Sequence, residues 1–261
     1  MIKNILRKIR RLLDIYNFHL LKTIYVNFRL FPIQQAIHLP FVIYNRTQIK
    51  ISKSKINLEI PAKFGIIKWG FQNDWQVSKY SPSLLMMVNG EINILGNIII
   101  APGVTIRIHE GNLTFGKNNF VGGQCKLLCN NNIKIGDNCM FAFGSIVADS
   151  DFHYIIHDGK IKNCNGEIII GSGCWVGNNT TIMRGCILPD NTIVGSKSYV
   201  NKNFDGIEPY SILVGTPAKL IKTGYKKVPS EVEGILREYF KKSKNKYCNS
   251  EIINNSLYGK Y

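Results

Sequence analysis

Through residues 94–205 an aliphatic or aromatic residue returns every six positions, and this period restricts the fold more than any other feature. Ile170, Val176, Ile182, Leu188, Val194 and Val200 follow one another at that step without a slip. Upstream the same step gives Ile94, Ile100 and Ile106, then Phe115, Val121 and Leu127, then Ile135, Phe141 and Val147. Gly or Ala often comes next, as at Ala101, Gly116, Gly122, Gly136 and Ala142. A small residue often stands four places on, as at Cys125, Cys139, Ser145, Cys174, Thr180, Cys186, Thr192 and Ser198.

A step of six matches neither the 3.6 of a helix nor the simple alternation of an isolated strand. It matches a short strand and a tight turn, repeated. Three steps close a triangular coil of about eighteen residues, and stacked coils bury a continuous apolar column while pairing backbone with their neighbours. Blocks of three steps open at 94, 115, 135, 170 and 188, and the spare residues 112–114, 133–134 and 153–169 all fall between blocks. Insertions collect where they leave the column undisturbed. The longest begins at His153, so the repeat delivers a histidine to the root of a long loop. Asn97, Gly103, Asn118 and Asn138 stand at expected corners, where Asn and Gly accept left-handed backbone. Asn119 and Asn131 fall at expected inward positions, where an asparagine ladder is possible.

Three stretches carry a resemblance: Asp149-Ser-Asp-Phe-His153, Ile170-Gly-Ser-Gly-Cys-Trp-Val-Gly-Asn-Asn-Thr-Thr-Ile-Met-Arg-Gly185, and Val214-Gly-Thr-Pro-Ala-Lys-Leu-Ile-Lys222. The chain resembles the hexapeptide-repeat acyltransferases, of the type that O-acetylates cell-surface polysaccharides. The implied fold is mainly β, a left-handed parallel β-helix solenoid with an N-terminal amphipathic helix and a C-terminal helix. The expected organisation is a helical segment over 1–47, the solenoid over 48–225, and a helix and tail over 226–261. Pro32, Pro40, Pro61 and Pro82 punctuate 31–93, read as imperfect first coils that cap the open end, with Trp69, Phe71 and Trp75 as packing residues. Residues 206–225 are expected to leave the solenoid, and a helix to start at Ser230 and run to about Lys242.

The net charge is +16, from 33 basic and 17 acidic residues, which suggests an anionic partner. No nucleic-acid-binding signature accompanies it, so nucleic acid is not expected. Residues 1–60 hold eleven basic and two acidic residues. Ile2, Ile5, Leu6, Ile9, Leu12 and Leu13, continued by Leu20, Leu21, Ile24, Tyr25 and Phe28, form an apolar stripe among these cations. Two readings fit: a helix lying on an anionic membrane, or one packed on its own trimer or on the solenoid end. No apolar run approaches a membrane span, and no signal peptide is evident. Cys125, Cys139, Cys174 and Cys186 are expected to face inward as small free thiols, which suits a reducing cytoplasm. The expected location is cytoplasmic, with a possible peripheral place on the inner membrane face.

His153 is the candidate base. Acyl transfer from a thioester to a hydroxyl needs a group that takes the hydroxyl proton and returns one to the leaving thiolate, and histidine does both near neutral pH. The other reading is an exposed loop histidine. The resemblance favours catalysis, with the base set against a neighbouring subunit of a homotrimer. Asp151, at an expected inward position, could orient the His153 ring or bond turn amides. Asp149 is a further candidate for that role and for holding the acceptor. His109, His153 and His157 lack a convincing metal-ligand spacing, so no metal is expected. Trp175 points outward at its step, a stacking surface for a sugar or a subunit contact.

No nucleotide-binding loop is present. The resemblance implies acetyl-CoA in a groove between subunits, with Gly177, Asn178, Gly195 and Ser196 around the thioester and their amides on the oxyanion. It also implies Lys202, Thr216, Lys219 and Lys222 near the phosphates. Read without the resemblance, these are corner residues and a solvated basic run. The expected activity is O-acetylation of a sugar hydroxyl in a capsule, lipopolysaccharide or other surface glycan. Acetylation of an amino sugar, and a non-catalytic membrane-recruited scaffold, are the alternatives.

Overall fold

The computed structural model describes residues 18–72, 76–228, 230–243, 246–248 and 250. The helical stripe expected over 2–17, Trp75 and most of the C-terminal tail lie outside the described residues. Residues 1–225 and 226–261 form two compact units.

In the first unit, short strands stack into three sheets, one for each side of a triangular coil. The first runs from the strand Phe41–Ile43 through Ile67–Trp69, Ile98–Ile100, Asn119–Val121, Met140–Phe141, Trp175–Val176 and Ile193–Val194 to Ile212–Gly215 and Ala218–Lys222. The second runs from Thr47–Ser52 to Tyr199–Val200, and the third from Lys55–Leu58 to Ile187–Leu188. Pairing inside the coil is parallel, as it must be when each strand meets the next turn of one spiral.

The register follows the six-residue phase. Ile94, Phe115, Ile135, Ile170 and Leu188 are successive partners in the third sheet. Ile100, Val121, Phe141, Val176 and Val194 line up in the first, and Ile106, Leu127, Val147, Ile182 and Val200 in the second. All fifteen side chains are buried in one continuous core. Cys125, Cys139, Cys174 and Cys186 are buried in the same column and form no disulfide. Asn118 and Asn138 take φ 56° at corners. Asn119 is buried and donates to the Gly116 and Gly136 carbonyls while accepting from the Cys139 amide. Asn131 departs from expectation: it is exposed, because the turn after Cys129 carries it out of the column.

The N-terminal coils are more regular than the sequence suggested. Phe41–Ile43, ahead of residue 48, pairs in register with Ile67–Trp69, and Trp69 is buried, stacked on Phe41 at 5.7 Å. Helix α1 (Leu20–Leu30) lies over this first strand. Such an edge exposes unpaired amides and carbonyls. Here the Asn27 amide donates to the Phe41 carbonyl at 2.7 Å and accepts from the Phe41 amide at 3.1 Å. Thr23 Oγ1 accepts from the Ile43 amide, and the His19 amide donates to the Ile43 carbonyl. The polar face of α1 thus closes the open end. A short helix α2 (Ile33–Ala36) follows it.

The C-terminal end also differs from expectation. Residues 212–222 stay in the first sheet: Ile212–Gly215 continues it in parallel, then the chain reverses and Ala218–Lys222 pairs antiparallel. The second unit contains helix α3 (Ser230–Ser243), with Lys241 and Lys242 in the last turn, where cations suit the helix dipole.

Candidate active site

The insertion leaves the coil after Ala148 as a hairpin. Ile155–His157 pairs antiparallel with Lys160–Lys162, and every residue of both strands is exposed. Asp158 and Gly159 both take positive φ at its tip, as a two-residue hairpin turn requires. The root is rigidly held. Ser150 is buried and bridges Asn165, its hydroxyl accepts from the Phe152 amide, and the Asp151 amide donates to the Cys164 carbonyl.

Asp149 is wholly buried, and its two carboxylate oxygens accept the Asn130 and Asn131 amides at 2.7 and 2.8 Å. Burial pushes its pKa up, and the amide hydrogen bonds oppose that rise. The expectation that Asp149 meets the acceptor is therefore overturned: no surface of it reaches solvent, and its oxygens clasp a turn.

Asp151 is not inward. The chain turns out of the column after Ala148, so the six-residue phase ends before it. Its Oδ2 accepts from Arg184 Nε at 2.5 Å, with 31% and 21% of the two side chains exposed. Asp151 meets Arg184 rather than His153. The His153 ring is exposed and has no hydrogen-bond partner among the described residues. Its neighbour Phe152, at φ 61°, packs its ring against the Arg107 guanidinium at 5.5 Å. Through the register, Arg107 aligns with Leu128 and Ala148, and Ala148 with Met183. Two arginines, two coils before the root and one coil after it, thus grip Phe152 and Asp151, the two residues just before His153. Sequence reading missed both, although aligning the repeats sets Arg184 beside the point where the insertion departs.

The corners between the first and second sheets carry the next group. The Gly177 amide donates to the Val194 carbonyl and the Gly195 amide to the Leu213 carbonyl, both at 2.8 Å. These two amides are committed to the ladder, which overturns their expected use on an oxyanion. The Asn178 and Ser196 amides have no acceptor among the described residues. Gly177 has another duty: a Cβ there would lie 2.6 Å from the Ser196 amide nitrogen, so only glycine lets the next corner stack.

Trp175, 39% exposed, belongs to an outward row in which Ile99, Phe120, Met140, Trp175, Ile193 and Ile212 are successive partners. Thr216 Oγ1 donates to the Lys197 carbonyl, which brings Lys197, unremarked in the sequence, beside the C-terminal turn. Lys219 is exposed, Lys222 lies over the Tyr225 ring and Lys202 over the Phe204 ring. Among the described residues, no three His, Cys, Asp or Glu side chains converge on a metal-sized space.

No family model matches the chain. In sequence it is 32% identical over 124 residues to a probable acetyltransferase of Mycobacterium tuberculosis, matching 45% of this chain and 39% of that protein. It is 33% identical over 132 residues to the polysialic acid O-acetyltransferase of Escherichia coli, matching 49% of this chain and 40% of that one. The chain thus spans about two fifths of the length of these two relatives. The crystal structure of the polysialic-acid-specific acetyltransferase NeuO superposes with a TM-score of 0.56 at 23% identity, over 79% of this chain and 86% of that one, a likeness of fold. By its three-sided coil and its likeness to that structure, the chain has the left-handed parallel β-helix fold, and its sequence relatives include acetyltransferases.

Proposed function

We propose that the chain transfers an acetyl group from acetyl-CoA to a sugar hydroxyl of a surface glycan or its precursor. The observation that carries this reading is the setting of His153: a histidine with no partner of its own, on a root fixed by Ser150, Arg107 and Arg184. His153 accepts the hydroxyl proton as the sugar oxygen attacks the thioester carbonyl. The Asn178 or Ser196 amide stabilises the oxyanion that forms, since a preorganised N–H acts most strongly where charge develops. The C–S bond then breaks, and the imidazolium returns its proton to the departing thiolate.

Topology supports a homotrimer. His153 follows the second sheet and Asn178 precedes it, so within one copy they stand at different corners, roughly 10–15 Å of strand apart. A second copy set against the outward row of Phe120, Met140 and Trp175 would bring its corner to the hairpin, and ring closure by three copies satisfies every such contact. The exposed Trp175 indole suits stacking on a sugar face. Lys197, Lys202, Lys219, Lys222 and Thr216 suit the donor's phosphates, as point charges and one hydroxyl rather than bidentate clamps. Buried cysteines that form no disulfide fit a reducing cytoplasm, where that donor is made available.

The test is CoA release with candidate glycans, followed by mild alkali on the product. Alkali-labile acetate is expected, because esters cleave where amides persist. An alkali-stable product would move the reading to an amine acceptor, and no release by the folded protein with any glycan would favour a scaffold.

A further inference from the structure

Helix α1 is amphipathic the wrong way round for a helix on a protein core. Its buried side chains include Thr23 and Asn27 beside Val26 and Leu30. Its exposed side chains are Leu20, Leu21, Ile24, Tyr25 and Phe28, and Ile33 and Ile37 extend this surface beyond it. Leu21 is 83% exposed, and Ile33 and Ile37 each more than 60%. Thr23 and Asn27 are spent on the edge of Phe41–Ile43, which leaves the apolar stripe pointing away from the solenoid. Isolated exposed apolar residues need no explanation, but a contiguous stripe of this kind marks an interaction surface.

The charge around the stripe identifies the occupant. Lys22 and Arg29 lie on the same helix, and Arg46, Lys50 and Lys53 on the following strands and turns, whereas Lys55 is paired with Glu91 at 3.2 Å. Among residues 18–58 there is no Asp or Glu. A cleft of about 630 Å³ opens between α1 and the strand Thr47–Ser52, lined by Lys22, Tyr25, Thr47, Gln48, Ile49 and Lys50. In sequence, residues 1–17 add Lys3, Arg7, Lys8, Arg10 and Arg11 against the one acidic Asp14. A second copy of this end would bring the same cations, and so would residues 1–17, so both would meet the surface with repulsion. An anionic bilayer complements the apolar stripe and the cations together: side chains enter the acyl boundary while lysines and arginines meet headgroup phosphates. No described helix is long and apolar enough to cross a membrane.

We infer that the N-terminal end of the solenoid docks on an anionic membrane surface through the outward face of α1 and the following turn. This stands apart from the acyl-transfer reading, since it uses none of the residues assigned to that site. The test is co-sedimentation of the full chain with phosphatidylcholine vesicles, with and without phosphatidylglycerol. Binding is expected only where phosphatidylglycerol is present, and it should weaken with salt. Replacing Leu21→Glu with Phe28→Glu should weaken partition about tenfold while leaving the thermal melt in place. Arg29→Glu with Lys50→Glu should weaken it comparably and flatten the salt dependence. If the Leu21/Phe28 pair disturbs folding, Leu21→Ser, at a nearly free side chain, carries the same test. Three results would overturn the inference. One is no binding of the parent chain to anionic vesicles. Another is parental binding by both double variants, which would move the contact to residues 1–17. The third is a loss of oligomer in sedimentation velocity with vesicle binding unchanged, which would make the stripe a contact between copies.

Discussion

Gly177 shows how one residue type can be read for two jobs. The resemblance set it beside the thioester, whereas the coil needs it for close approach. Gly177→Ala would press a methyl group against the Ser196 amide, 2.6 Å from its nitrogen, and backbone rather than a flexible side chain must yield. A loss of about 1–3 kcal/mol is expected, seen as a lower denaturation midpoint. An unchanged midpoint would mean that the corners stack more loosely than this. Asp149 makes a second prediction at the same scale. Burial is the largest influence on it and raises its folded pKa above the unfolded value, so the folded state holds the proton to higher pH. The stability linked to it is therefore fully present below the unfolded pKa and lost as pH rises through the folded one. In melts across the acid range, the difference between the parent and Asp149→Asn should fall in that direction and level off near neutrality. A difference independent of pH would leave Asp149 titrating in its ordinary range.

At the scale of elements, α1 and the hairpin root mark where the sequence was hard to read. The column was legible because burial repeats at fixed phase: Ile94 to Val200 could be assigned to sides of the coil from spacing alone. Phe41–Ile43 and Ile67–Trp69 obey the same register, but the segments 59–66 and 70–82 stretch the interval and hide it. The strand at 212 was hidden likewise, by the irregular residues after Val200. Asp151 was misplaced because counting by six assumes that the chain is still in the coil. Arg107 and Arg184 escaped because their partners are distant in sequence. For α1, pattern could find an amphipathic helix but not which face turned inward. Thr23 and Asn27 decide that, since an open strand edge needs hydrogen bonds more than it needs methyl groups. Asn27→Ala strips the Phe41 amide and carbonyl of their partners at a buried edge, so a loss of about 1–3 kcal/mol is expected. Hydrogen exchange should also rise first at Phe41 and Ile43. Exchange unchanged at those two amides would mean that the helix does not close the end.

At the scale of the whole molecule, the two halves of the proposed site stand at different corners of one copy. Sedimentation is expected to find a closed three-fold assembly, and catalysis should fall away where dilution separates the copies. A fully active monomer would break the link between the corners and the hairpin. The claim on which the rest of the functional account depends is that His153 moves the proton. CoA release from acetyl-CoA, with the acceptor glycan in hand, measures it directly. His153→Ala is expected to lower turnover by about 10²–10⁴-fold with donor affinity nearly unchanged, the usual worth of a general base. Turnover close to that of the parent chain would remove His153 from the chemistry and contradict the account.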